Sequence, residues 1–303
     1  MITTARRFTL LVSVLWLFVA SGCLGPSFRI VPPARTTSPP YAFDESGAFS
    51  WKVVWGMSQS VFARSVSSMT RDGFRLHDME AYKDEGDTRF AGIFLKDSRR
   101  GLVRWRLTRA QFDRDFKVMT DQGYQPIDLE IINERGVLRY SSVWMENPGG
   151  PVWRMRWGLT NGDFLDELET WRGKGYRPTD IEVYGIGAKT RYGYVMVYDP
   201  SGSKWTARWG KSTESMDTEM NSQQGCRSRI IDFEPSYPQG KLKLSAIFVE
   251  DSSSRGWTWT MCRSGGQIRN AIDRLGGKYR PIHVAIGPHK EGGLGYLWIW
   301  QRN

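Results

Sequence analysis

Apolar and polar positions along this chain alternate in short runs, then switch to a spacing of fours and threes. In Trp153-Arg154-Met155-Arg156-Trp157 every second residue is apolar, which predicts a strand with one buried face. Thr160 follows, and Phe164, Leu168 and Trp171 then form a single apolar stripe on a helix. Gly175-Tyr176-Arg177-Pro178 ends that helix, because glycine suits the left-handed position after the last turn and proline cannot continue it. Asp180-Ile181-Glu182-Val183-Tyr184 alternates again and predicts a second strand with its carboxylates on one face. A third strand is predicted over Arg191 to Tyr198, closed by the turn Asp199-Pro200-Ser201-Gly202.

The same unit recurs five times. Its beat is Trp55-Ser58-Phe62, Trp105-Thr108-Phe112, Trp157-Thr160-Phe164, Trp209-Ser212-Met216 and Met261-Ser264-Ile268, at spacings of 50, 52, 52 and 52 residues. A period that long marks one supersecondary unit in tandem. The Ser or Thr of each beat reads as a helix N-cap. The predicted class is α/β, five strand–helix–strand–strand copies (A, helix, B, C) over 50–100, 101–150, 151–202, 203–254 and 255–303. A right-handed crossover makes A and B parallel, and C is expected antiparallel between B and the A of the next copy. Closing the array into a five-fold α/β propeller would give the final strand, Leu297 to Trp300, a partner at residues 51–55. The alternative is an open solenoid. The Trp residues locked to the repeat (51, 55, 105, 153, 157, 205, 209 and 257) are expected in the core, with Trp144, Trp298 and Trp300 of strand C.

The first 49 residues do not share the period. Arg6 and Arg7 precede an apolar run from Phe8 to Ala20, too short to span a bilayer and suited to a signal peptide over 1–22. The run ends Ala20-Ser21-Gly22-Cys23, which resembles the lipobox of bacterial lipoproteins and implies lipidation of Cys23. Residues 23–49 carry Pro26, Pro32, Pro33, Pro39 and Pro40 and read as an extended tether. An exported, membrane-anchored protein of the outer membrane or cell surface is expected. The formal charge is +10, and removing 1–22 leaves 40 basic against 32 acidic residues, or +8. Basic and acidic residues are interspersed, so this charge reads as solubilising, and export argues against nucleic acid. Export permits a disulfide between Cys226 and Cys262, but parallel helices would hold those positions about 18 Å apart.

The Gly-Tyr-Arg-Pro and Asp-x-Glu segments, with Trp-x-x-x-Trp before the cap, resemble the tandem repeats of polyglycine hydrolases over about 50–303. The resemblance implies the repeat architecture. In that family the repeats precede a serine β-lactamase-like domain that cuts glycine-rich linkers of plant chitinases. The repeats fill the sequence to residue 303, so that domain is not expected here.

Candidate chemistry is sparse. Ser201-Gly202-Ser203-Lys204 has the S-x-x-K spacing but falls in a turn, where the enzymes use a helix. The three His residues, 77, 283 and 289, are isolated, and no Cys pair has zinc spacing, so neither a triad nor a metal site is expected. The repeated charges are Arg104/Arg156/Arg208 in strand A, Asp128/Asp180/Asp232 with Glu130/Glu182/Glu234 in strand B, and Arg139/Arg191/Lys243 in strand C. Copy one has Asp78, Glu80 and Arg89, whereas copy five has His283, Ala285 and Gly295. One expectation is cross-strand ion pairing on the polar sheet face. The other is a ring of charges at a ligand-binding mouth, with Asp128, Glu130, Asp180, Glu182, Arg139, Arg191 and His283 as candidate contacts. The functional expectation is a lipid-anchored, non-catalytic binding or scaffold protein without a cofactor. Its partner would be a glycan, a Gly-rich peptide or an envelope protein. The alternative is a peptidase or glycosidase acting at the ring mouth.

Overall fold

A computed structural model describes residues 43–45, 50–96, 99–225, 228–237, 241–250, 256–289 and 292–303. Cys23, most of the tether and Cys226 lie outside them, while Cys262 is buried. Strand β1 (Phe43–Glu45) falls within the expected tether and pairs antiparallel with the first strand of copy one.

Copy one holds β2 (Trp51–Met57), α1 (Gln59–Arg71), β3 (Phe74–Asp84) and β4 (Asp87–Lys96). Copy two holds β5 (Gly101–Leu107), α2 (Arg109–Asp121), β6 (Tyr124–Glu134) and β7 (Val137–Glu146). Copy three holds β8 (Trp153–Leu159), α3 (Asn161–Arg172), β9 (Tyr176–Ile186) and β10 (Lys189–Tyr198). Copy four holds β11 (Trp205–Lys211), α4 (Thr213–Gly225), β12 (Ser228–Ser236) and β13 (Lys243–Glu250). Copy five holds β14 (Trp257–Cys262), α5 (Gly265–Leu275), β15 (Tyr279–Pro288) and β16 (Leu294–Arg302).

Each copy forms its own sheet in the order A–C–B, antiparallel throughout. A and B are parallel, as expected, but C lies between the A and B of its own copy rather than beside the next A. The hairpin from B to C is short, as in Asp84 to Asp87, so C folds straight back along B and takes that position. Strand B also begins earlier than its alternation suggests, because Pro126, Pro178 and Pro281 are inside it. Proline is tolerated there since B is an edge of its sheet.

The helix caps follow the beat. Thr108 and Thr160 form capping boxes with Gln111 and Asp163, Ser264 accepts from the Gln267 N–H, and Ser212 accepts from the Ser215 N–H. Ser58 occupies the cap position without a side-chain bond. In copies one to four the residue after the beat Trp has positive φ (Gly56, Arg106, Gly158, Gly210), and the A–C register shifts there. Copy five has Met261-Cys262 at this place, and its A–C pairing runs without a shift.

The helix anchors Phe62, Phe112, Phe164, Met216 and Ile268 are all buried, but no copy encloses a core by itself. Each of the five apolar clusters joins the helix and sheet of one copy to the sheet of the next. The ring contacts show how. Phe62 meets Trp105, Phe112 meets Trp157 and Phe164 meets Trp209, edge to face, with centroids 6.2, 4.9 and 5.5 Å apart. The beat Trp thus covers the anchor of the preceding copy. Because it sits on strand A, an edge, Trp105, Trp157 and Trp209 are half-buried, not fully enclosed as expected.

Copies five and one meet in the same way. Their cluster contains Ile268 and Ile272 with Trp51, Val53 and Trp55, and Trp51 lies edge-on to Trp300 at 6.0 Å. The B strands β3, β6, β9, β12 and β15 each contact the next, and β15 contacts β3. The five sheets are therefore propeller-like around an axis lined by strand B. Among the described residues no helix is long and apolar enough to cross a membrane.

Phe164→Ala removes a ring that stacks on Tyr192 and supports Trp209. It is expected to cost about 3–5 kcal/mol in denaturant unfolding. Since each core is shared, tryptophan fluorescence and far-UV circular dichroism should keep a common midpoint in the variant. Separate midpoints would show that the junctions unfold independently.

Candidate functional site

Strand B carries a bulge in every copy, just before the repeated acid. The register with strand C shifts between Leu76 and Asp78, Pro126 and Asp128, Pro178 and Asp180, Ile230 and Asp232, and Pro281 and His283. A bulge re-aims the side chain that follows it. Here the carboxylates reach the neighbouring copy, where the free edge of its strand B presents unpaired N–H groups.

Asp128 Oδ2 accepts from the Met79 N–H at 2.8 Å, Asp232 Oδ2 from Ile181 at 3.0 Å and Asp78 Oδ2 from Val284 at 2.9 Å. One turn of the alternation further on, Glu130 Oε2 accepts from Ala81 and Glu182 Oε1 from Ile131, both at 3.1 Å. The cross-strand ion pairing expected for these acids is therefore not what they do. They clasp adjacent copies by satisfying backbone donors, which cannot be left orphaned in a buried position. The arginines of strand A pair instead with helix acids of their own copy: Arg104–Asp115, Arg156–Glu167 and Arg208–Glu219, at 3.1, 3.2 and 3.0 Å.

Copy five supplies His283 to the Asp tier. Its Nδ1 lies 2.8 Å from Asp78 Oδ1, and its Nε2 lies 2.8 Å from the Phe233 carbonyl and 3.9 Å from Asp232 Oδ1. Burial alone would lower its pKa, but Asp78, Asp232 and the Phe233 carbonyl outweigh burial and push it up to about 10. The ring then keeps its proton, with Nδ1 facing Asp78 Oδ1 and Nε2 facing both the Phe233 carbonyl and, at 3.1 Å, the Phe233 N–H. Burial, reinforced by neighbouring acids, raises Asp128 and Asp180 well above the carboxylate range, and burial raises Asp232 to about 6 against the pull of His283. The Glu tier is raised by burial as well, and for Glu80, Glu130 and Glu234 by their mutual repulsion and that of Glu182. Among the described residues, Glu80, Glu130 and Glu234 offer carboxylate oxygens within 4.8 Å of one another. That donor type suits a hard cation, while burial and the crowding of the acids disfavour the charged form of the carboxyls.

Two cavities flank the tiers. One, of about 380 Å³, has Glu80, Glu130, Glu182 and Glu234 in its wall together with the B–C hairpins. The other, of about 490 Å³, has Asp78, Asp180, Asp232 and His283 in its wall, and the first residues of the B strands around its mouth.

Of the seven residues read from the sequence as candidate contacts, five meet on the axis: Asp128, Glu130, Asp180, Glu182 and His283. Arg139 and Arg191 do not. Arg139 lies 3.5 Å from Glu134 near the B–C hairpin, and Arg191 donates to the Thr190 carbonyl. Strand C is the middle strand of each sheet, so strand B stands between it and the axial acids, and only the ends of strand C border the axial cavities. Ser201 donates to Asp199 inside its turn, as a turn residue would. Arg75, Arg229 and Arg280 were missed, although they line the larger cavity. The signal was the third residue of Gly-Tyr-Arg-Pro, which repeats as Arg75, Gln125, Arg177, Arg229 and Arg280.

The family described as polyglycine hydrolase-like, structural repeat matches residues 50–97, 102–147 and 150–198. Copies one to three are polyglycine hydrolase-like structural repeats. Copies four and five lie outside that match but hold the same strand–helix–strand–strand order as the three repeats. No curated protein matches the chain.

His283→Gln removes the imidazolium and should lower the melting temperature at pH 7 by several degrees. The folded pKa of about 10 exceeds the usual value of 6.5, so the folded state binds the extra proton between those values. The contribution is full below about pH 6.5 and is lost as pH rises towards 10. The gap between wild type and variant in thermal melts should therefore narrow from pH 7 to pH 10. A constant gap would mean that His283 stabilises only as a neutral ring.

Proposed function

We propose that this protein is a lipid-anchored, non-catalytic binding module of the cell envelope, with its ligand seated in the larger axial cavity. The observation that carries the reading is the cavity itself: all five copies contribute to a pocket of about 490 Å³, within the size range of ligand sites. Most of the axial acids that a hydrolase could use are already engaged, since Asp128, Asp232, Asp78, Glu130 and Glu182 accept backbone N–H groups of the neighbouring copy. The anchor rests on Ala20-Ser21-Gly22-Cys23 after an apolar run, followed by the proline-rich stretch. The partner classes that suit such a location are a glycan, a Gly-rich peptide or another envelope protein.

Two measurements test the two halves. Cells fed a labelled fatty acid should incorporate it into the wild-type protein and not into Cys23→Ser, and equal labelling would remove the anchor. Thr179, in the wall of the larger cavity, is half-exposed there. Replacing it by Trp should abolish capture of glycan or peptide ligands from immobilised panels while the melting temperature stays within a few degrees. Unchanged capture would place binding elsewhere on the molecule.

A further inference from the structure

We propose that the glutamate tier on the axis is a calcium site, with Glu80, Glu130 and Glu234 as its ligands. The tier lines the smaller cavity, so this site does not depend on what the larger one binds.

The ligands come from one register position. Glu80, Glu130, Glu182 and Glu234 are each the seventh residue of strand B in their copies, so four strands deliver a carboxyl group to one level of the axis. Copy five has Ala285 at that position. Two residues earlier it supplies His283, a cation, to the Asp tier; here it supplies only a methyl group. Glu80, Glu130 and Glu234 each place an oxygen within 4.8 Å of the others. Calcium sits about 2.3–2.6 Å from its oxygens, so ligands on opposite sides of one ion lie up to about 5 Å apart. Magnesium holds its oxygens at about 2.0–2.1 Å and tolerates less spread. The cluster contains neither His nor Cys, and an all-carboxylate donor set favours a hard cation over zinc or copper.

One oxygen of the tier is orphaned. Glu80 is 4% exposed, it lines the cavity of about 380 Å³, and its Oε2 has no hydrogen-bond partner. In the Asp tier the same junction is closed, because Asp78 Oδ2 accepts from the Val284 N–H. A buried acceptor left unpaired is costly, and buried charges are paired or coordinate metals. Lys83 lines the same cavity but donates to Thr88 Oγ1 at 2.8 Å. The clasps leave the tier able to bind. A carboxylate has two oxygens, so Glu130, held by the Ala81 N–H through Oε2, keeps Oε1 for an ion. The cavity has room for the waters that bring calcium to its usual six to eight or so ligands. The three acids come from three different copies, so no short motif announces them.

Purified full chain, stripped with EDTA, is titrated with calcium chloride in a calorimeter near neutral pH at constant ionic strength. Calcium should bind once per chain with a dissociation constant at or below about 10⁻³ M, and should raise the melting temperature. Glu80→Gln and Glu234→Gln should each weaken binding about 10-fold or more, since ligand charge sets calcium affinity. Glu169→Gln, which removes an exposed acid of α3, should bind as the wild type does. If neither glutamate variant folds, terbium decides in the wild type. Tyr82 and Tyr184 line the same cavity, so exciting the aromatic rings should give terbium emission that calcium abolishes and sodium does not. Undiminished binding by both glutamate variants would put the ion elsewhere and sink the site. Equal losses in Glu80→Gln and Glu169→Gln would reduce it to diffuse surface charge. Tighter binding of magnesium than of calcium would overturn the choice of ion. No heat, no thermal shift and no terbium emission would overturn the proposal as a whole.

Discussion

No copy of this repeat can bury its own helix. The anchor at each beat is covered on one side by its own sheet and on the other by the next copy, where Trp105, Trp157 and Trp209 stand edge-on to Phe62, Phe112 and Phe164. Apolar burial is the main favourable term in folding, so a core that exists only between copies makes neighbours obligatory. The requirement passes round the array until the helix of copy five finds Trp51 and Trp55 of copy one. The axis, its cavities and its charges all follow from that packing.

Packing the copies by their faces leaves a second problem at the centre. The B strands approach each other without forming a common sheet, and their free edges present backbone donors. The Asp-x-Glu residues answer it by reaching across each junction. The result is a buried column of acids, most of which accept N–H groups of the neighbouring copy, while burial disfavours their charged form. His283 is the single cation among them, and it occupies the copy where an additional aspartate would have met Asp78 and Asp232. Structure therefore accounts for the carboxylates, and binding chemistry is left to the cavities, whose walls also carry Arg75, Arg229 and Arg280.

Much of this was legible in the sequence. The period, the caps, the helix stops and the alternation in strand B each predicted an element in the right place. The position of strand C was not, because alternation shows that a strand is half-buried but not which neighbour it pairs with. Arg139 and Arg191 were misplaced for that reason: their spacing matched the axial acids, but they stand on the middle strand, behind strand B. The bulge before Asp128 and its equivalents was equally hidden. One extra residue decides whether a carboxylate faces its own sheet or the next copy, and no periodicity rule registers it. Arg75, Arg229 and Arg280 were overlooked because Gly-Tyr-Arg-Pro was explained by its glycine and proline.

Two of the three departures from the beat flank one junction. Met216 stands where the first three copies have Phe, and Met261, one copy later, stands where the first four have Trp; copy five also lacks the positive-φ residue that follows that Trp. The core of that junction packs Met216 with Trp257 and Trp259, while Met261 is exposed, and a substitution in either copy changes the surface that the other must fit. The heritable module in such an array is then the seam and not the repeat. Duplication copies whole repeats, but divergence must proceed seam by seam, and the seam between copies four and five has travelled furthest.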